Sequence, residues 1–243
     1  MQENFISDTR KVYFIRLAGR CIILLISILM YIYKREVFEV SIGMNFFEKF
    51  SLLHLLWGIW IIDMFLQLIP VKAHIAIGSQ KQFTSLFRPT KEAIDKSKLK
   101  TYISQSTKAA YIIMIIWIVL SGIIGVLYTK QIIDAGIMVL ISVFFYVCDL
   151  VCVLIWCPFR LLIKNKCCTT CRIFNWDHLM MFLPLVAMKG FFSYSLVAFS
   201  VFIYLVWEFC VIIHPERFWE NSNAALKCVQ CTDKLCTQYC RRK

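Results

Sequence analysis

The chain has 243 residues, 60% of them hydrophobic and only 17% charged, with a formal net charge of +12 at pH 7. So apolar a composition excludes an ordinary soluble domain, in which apolar residues make up about half of the chain. The basic balance would suit nucleic acid only with a basic folded domain behind it, and the longest polar loop, 71–108, is too short to build one.

The apolar residues fall in blocks, and the hydrocarbon core of a bilayer takes about 20 of them as helix. Residues 1–20 are polar and basic. The first apolar block, 21–33, runs into the bulky, charged stretch "MYIYKREVFEV", which offers no small-residue cleavage site. It is therefore expected to remain as an uncleaved first helix, open to extension into its flanks. Further spans are predicted at 50–70, 109–129 and 131–156. The block 178–213 holds Lys189 near its start and Glu208 near its end, and it is too long for one crossing and short for two. A short or re-entrant helix over 178–188, then a full span over 190–213, accommodates it. The expectation is an all-α, polytopic integral membrane protein of about six membrane helices, with no internal repeat.

Lysine and arginine set the orientation, because cytoplasmic loops carry the excess of them. Four lie in 1–20, eight in 71–108, four in 157–177 and six from 214 onward, which places 22 of the 27 on one side. Both termini are thus expected in the cytoplasm of a multi-pass cell-membrane protein. The domain reading is a cytoplasmic N-terminus (1–20), a helix bundle (21–213) with cytoplasmic loops 71–108 and 157–177, and a cytoplasmic tail (214–243). The net charge then reports this orientation and attraction to anionic lipid headgroups, and no nucleic-acid partner is expected.

Eight of the twelve cysteines lie in two short polar segments on that side. The tail carries Cys228-x2-Cys231-x4-Cys236-x3-Cys240, and the loop carries Cys157, Cys167, Cys168 and Cys171. A reducing cytoplasm argues against disulfides, so thiolate ligation of an iron–sulfur cluster or of zinc is the expected use. Four thiolates within thirteen residues are more compact than common structural zinc sites and closer to a ferredoxin run; a metal-free tail is the remaining alternative. In the loop, Cys168-x2-Cys171 is a plausible ligand pair, with Cys167 as an extra thiol. Cys157 precedes Pro158 at a span end, where the proline stops the helix. Cys148 and Cys152, four apart on one helix face, read as small buried hydrophobes.

A span ending in "CVLIWCPF", a basic loop and a C-terminal four-cysteine run together resemble the polytopic membrane ferredoxins of nitrate and nitrous-oxide respiration. The residues that carry this are Cys152, Cys157 and Pro158 with Cys228, Cys231, Cys236 and Cys240. The resemblance implies an iron–sulfur centre and electron transfer with a membrane or cytoplasmic redox partner. That family usually has Cys-x3-Cys-Pro twice, whereas this chain has one copy with a four-residue gap.

Asp63, Asp149 and Glu208 sit inside predicted spans and are expected to face the bundle interior, as proton or ion routes or as helix–helix contacts. His178 and His214, at similar predicted depth, could face each other across haem or another metal, a lesser expectation than solvated or hydrogen-bonded histidine. Trp156, Trp176, Tyr194, Trp207 and Trp219 read as interface anchors. No nucleophile–base constellation, phosphate loop or zinc-protease motif occurs, so no catalytic residue is assigned. The expected function is a membrane electron-transfer or maturation protein with a cytoplasmic cysteine-ligated centre. The alternatives are a transporter or channel using Asp63, Asp149 and Glu208 beside a structural or sensing zinc, and a metal-stabilised membrane scaffold.

Overall fold

The computed structural model describes residues 8–69, 79–91, 93–163, 170–227, 230 and 235, and every element named among them is helical. The main helices are α1 (Asp8–Tyr33), α2 (Leu52–Gln67), α4 (Lys96–Thr129), α5 (Ala135–Leu154) and α8 (Phe191–Ile213). Shorter ones are α3 (Ser79–Gln82), α6 (Phe159–Ile163) and α7 (Asp177–Phe182), the last continuing as a 3₁₀ turn over Leu183–Ala187. Among the described residues, four helices are long and apolar enough to cross a membrane: Thr9–Tyr33, Lys96–Thr129, Ala135–Leu154 and Phe191–Ile213. Two further apolar segments, Leu52–Gln67 and Asp177–Ala187, are shorter. The block 178–213 divides where the sequence places the break, between Ala187 and Phe191.

Local chemistry explains the boundaries. Asp95 caps α4 by accepting from the Ser97 and Lys98 amides at 3.0 and 3.2 Å, and Asp134 caps α5 by accepting from the Ile137 amide at 2.8 Å. Such caps satisfy amides that have no partner within the helix. Ser51 and His54 form a reciprocal capping box at the start of α2. Pro184 has no amide proton to continue α7, and the chain tightens into 3₁₀ geometry there.

α1 and α5 run antiparallel. Tyr13 near the start of α1 packs on Leu150, Val153 and Leu154 at the end of α5, whereas Tyr31 at the other end of α1 donates to Asp134 at 3.1 Å. The main core lies between α2, α5, α7 and α8, around Trp60, Met64, Met138, Phe182 and Phe192, all essentially inaccessible. Outward faces stay apolar, as with Ile112, Ile115, Ile116 and Val119 on α4. A face of this kind suits a lipid solvent rather than water.

The two ends of the bundle are built differently. At one end the backbone itself joins: the Gly43 amide donates to Lys189 O at 2.8 Å and the Phe191 amide to Gly43 O at 3.0 Å. A Cβ on Gly190 would stand 2.6 Å from Ser41 O, so only glycine permits this approach. The other end carries Cys157 and Cys171. There the buried Lys81 ammonium donates to Cys171 O at 3.3 Å, Arg217 donates to Gln82 O at 3.2 Å, and the Ala224 amide donates to Arg88 O at 2.7 Å.

Of the expected interface anchors, Trp156 and Tyr194 are exposed, but Trp176, Trp207 and Trp219 are buried. Trp207 stacks edge-on against Phe218, and Trp176 packs with Ala110, Ile113 and Met180. These three rings are core, because the 215–227 segment and the 170–176 turn fold back over them.

Candidate functional site

The strongest polar feature is a cluster inside the bundle centred on Arg20, which is 8% exposed. Its Nη1 donates to Asp149 Oδ2 at 2.7 Å and to Tyr146 O at 2.6 Å. Its Nη2 donates to Asp63 Oδ2 at 3.0 Å. The guanidinium also lies over the Tyr146 ring, 3.7 Å from its centroid, an attraction that desolvation strengthens. Three helices supply these groups: α1, α2 and α5. Asp63 and Asp149 thus face the interior as expected. An unpaired carboxylate there would cost at least roughly 2.5–3.5 kcal/mol, which the shared arginine offsets.

His178 and Asp177, at the start of α7, complete the cluster. Asp177 Oδ1 accepts from the His178 amide at 2.7 Å and sits 2.9 Å from His178 Nδ1. His178 Nε2 points at Asp63 Oδ2 from 4.0 Å. Gln67 Nε2 donates to Asp177 Oδ2 at 3.4 Å. A cavity of about 40 Å³ is lined by Arg16, Arg20, Asp63, Gln67, Asp149, Asp177 and His178, with Tyr13, Leu66, Leu150 and Phe174.

Glu208 belongs to a separate cluster. Its Oε2 accepts from Arg172 Nη2 and from the Tyr111 hydroxyl, both at 2.9 Å. Arg172 is 5% exposed and tethers the turn after Cys171 to α8. Asp63, Asp149 and Glu208 therefore divide into two clusters.

The thiols form a third feature. Cys148, Cys152, Cys157 and Cys171 line one apolar cavity of about 370 Å³, walled by aromatic side chains including Trp117, Phe144, Phe145 and Phe159. Asp149 and Asp177 reach its edge, so the charged cluster stands between this cavity and the smaller polar one. Cys157 and Cys171 are buried. The Cys152 thiol hydrogen-bonded to Cys157, then the Phe159 and Arg160 amides and the Arg160 charge, outweigh burial and hold the Cys157 thiol below its usual range. Cys148 and Cys152 line a cavity and are only partly buried, rather than sitting in tight packing.

Cys167, Cys168, Cys228, Cys231, Cys236 and Cys240 lie outside the described residues. Among the described residues, no three His, Cys, Asp or Glu side chains converge as a metal site. Leu235, the residue before Cys236, is buried against Tyr13, Leu150, Val153 and Leu154. His178 and His214 have separate partners: His214 Nδ1 lies 3.3 Å from Glu216 Oε1 beyond the end of α8. His178 is committed to Asp177 and the Arg20 cluster.

Sequence reasoning missed Arg20, Asp177 and Gln67. In the sequence Arg20 reads as part of the basic N-terminus, although α1 begins at Asp8 and carries it into the bundle. The available signal was pairing: two aspartates in apolar spans require a cation, and Arg20 borders the first apolar block.

Among the described residues, fold and site together define an all-helical protein with four helices long and apolar enough to cross a membrane and buried ionisable groups between its helices. No family model matches the chain, and no curated protein or solved structure matches it either. The resemblance to membrane ferredoxins accordingly rests on the quoted residues alone.

Proposed function

We propose that this is a six-pass membrane protein, the four long helices being joined by Leu52–Gln67 and Asp177–Ala187, with its cysteine-bearing end in the cytoplasm. That end holds a thiolate-ligated centre, an iron–sulfur cluster or zinc, and serves electron transfer to, or maturation of, a membrane or cytoplasmic redox partner. The supporting observation is convergence: Cys157 and Cys171 line one cavity, and Leu235 of the cysteine-rich tail is buried on the α1–α5 surface at the same end. The orientation is supported by the excess of basic residues in 71–108, 157–177 and the segment from 214 onward, 18 of the 27.

The donor set suits the centre. Cys157 is held toward the thiolate form, which is the form that binds metal. Cys228, Cys231, Cys236 and Cys240 of the tail would supply one four-thiolate set and Cys168 and Cys171 a ligand pair beside it, with Cys157 and Cys167 as further thiols. A cluster would supply one-electron transfer, and zinc would supply structure alone. The chain's own part is to hold the thiols in an apolar, water-poor setting and to fix Cys171 through Lys81 and Arg172.

Anaerobic purification, an optical spectrum, and iron, sulfide and zinc analysis test this reading. Visible absorbance that bleaches on reduction supports electron transfer, and colourless stoichiometric zinc supports the scaffold. Protein free of metal overturns both. Cys157→Ser and Cys231→Ser should each lower bound metal.

The transporter reading keeps one observation in its favour, the polar cavity beside Asp63. Against it, Asp63, Asp149 and Glu208 each already have an arginine partner. Absence of ion or proton flux in liposomes removes it.

A further inference from the structure

The cavity beside Arg20 is lined by three carboxylates, Asp63, Asp149 and Asp177, and by two guanidinium groups, Arg16 and Arg20. Unbalanced charge is costly in so buried a place, so one more positive charge is required for neutrality. His178 is 3% exposed and stands where that charge would go. With Nδ1 donating to Asp177 Oδ1 at 2.9 Å, a neutral ring would aim its Nε2 lone pair at the Asp63 carboxylate 4.0 Å away. Like partial charges would then face each other, whereas a proton on Nε2 reverses the sign of that contact.

Two buried polar atoms on this cavity, His178 Nε2 and Gln67 Oε1, have no hydrogen-bond partner among the described protein atoms. The gap to Asp63 is too long for a direct hydrogen bond. The cavity, at about 40 Å³, exceeds the roughly 10–15 Å³ that one water needs. A water there would accept from His178 Nε2–H and donate to Asp63, whose Oδ2 lies 4.0 Å from Nε2.

We propose that this cluster is an intramembrane proton-binding site, in which His178 carries one exchangeable proton that enters at Nε2 through the water-sized cavity. Counted as three carboxylates and two guanidinium groups, the lining goes from one net negative charge to neutrality on binding. The titratable and charged groups around the cavity are Tyr13, Arg16 and Arg20 of α1, Asp63 of α2, Asp149 of α5 and Asp177 of α7, with the Tyr146 ring packed against Arg20. The site does not depend on the thiolate centre, although Asp149 and Asp177 also border the thiol cavity.

The chain has four histidines, His54, His74, His178 and His214, which makes nitrogen NMR of isotope-labelled histidine practicable. The full chain in lipid nanodiscs is measured near neutral pH, and the His178 signals are assigned by their loss in His178→Gln. A doubly protonated ring at His178 is expected in the wild type. Asp63→Asn leaves two carboxylates against two guanidinium groups, so His178 should become neutral at the same pH. Asp149→Asn removes the same charge from the other side of Arg20 and should do likewise, which covers failure of either variant to fold. A neutral His178 in the wild type, or a ring that stays doubly protonated in the folded variants, overturns the proposal. Metal content is not part of this readout, so its failure is separate from failure of the thiolate centre.

Discussion

α1 and α5 are tied together twice, at two depths, by the same pair of residue types. In the interior, Arg20 bridges Asp149 and Asp63. Just past the end of α1, Arg35 pairs with Asp134, the residue that caps α5. Arg20 has 10% of its side chain exposed and Arg35 has 65%. The two pairs look alike in chemistry and differ in consequence. Bulk water can replace the partner of Arg35 at once, whereas the partners of Arg20 are buried between helices and bulk water cannot stand in for them.

The largest effect is therefore expected at Arg20. Arg20→Leu leaves Asp63 and Asp149 buried without their cation, a loss of roughly 3–5 kcal/mol. The outcome to measure is a large fall in thermal stability in detergent, with poor recovery of folded protein. An Arg20→Leu variant as stable as the wild type would mean that the cluster does not hold the helices together.

Next come the two carboxylates. Asp149→Asn and Asp63→Asn each keep a hydrogen-bonding group but lose its charge, at a cost of roughly 1–3 kcal/mol. Asp149 is the closer to Arg20, at 2.7 against 3.0 Å, and the less exposed, at 13% against 23% of its side chain. Its substitution is expected to cost more, as chemical unfolding midpoints would show. The reverse order would place the main tie between α1 and α2 instead.

At the outer pair, Asp134→Ala removes a cap and is expected to cost about 0.5–2 kcal/mol, while Asp134→Asn retains most of the cap. Burial raises the Asp134 carboxyl, but the Ile137 amide, the Arg35 guanidinium and the Tyr31 hydroxyl outweigh it and hold it below its usual range. A carboxyl lowered in the folded state stabilises above its unfolded value, about 3.9, and loses that contribution as pH falls through the folded value. The Asp134→Ala deficit should thus be constant from neutral pH to about 5 and shrink below about 4. A deficit that grows on acidification contradicts this assignment.

Arg35→Ala should have the smallest effect. Its side chain is exposed and its attraction is screened by salt. A difference from wild type is expected only at low ionic strength, and a loss comparable to that at Arg20 would erase the contrast between the two depths.

Much of the architecture was legible in the chain. The break after Ala187, the end of α5 before Cys157-Pro158 and the interior placement of Asp63, Asp149 and Glu208 follow from hydrophobic block length, proline and the cost of a charge in hydrocarbon. The start of α1 was not legible, since a polar, basic stretch reads the same whether it is loop or the first turns of a helix. Trp176, Trp207 and Trp219 were misplaced for a related reason. Tryptophan at a span end suits both a lipid interface and a core, and the choice depends on whether a later segment covers it.

Composition and block pattern by themselves determined that the protein is helical and suited to a membrane. These are properties of short windows of sequence, set by how backbone and side chains partition between water and hydrocarbon. Only the tertiary structure decided that Asp63 and Asp149 share Arg20 while Glu208 answers to Arg172, and that His178 joins Asp177 rather than His214. Partner choice depends on the rotation and depth of each helix against its neighbours. Packing between segments 36 to 129 residues apart in the chain sets those, and no local pattern encodes them.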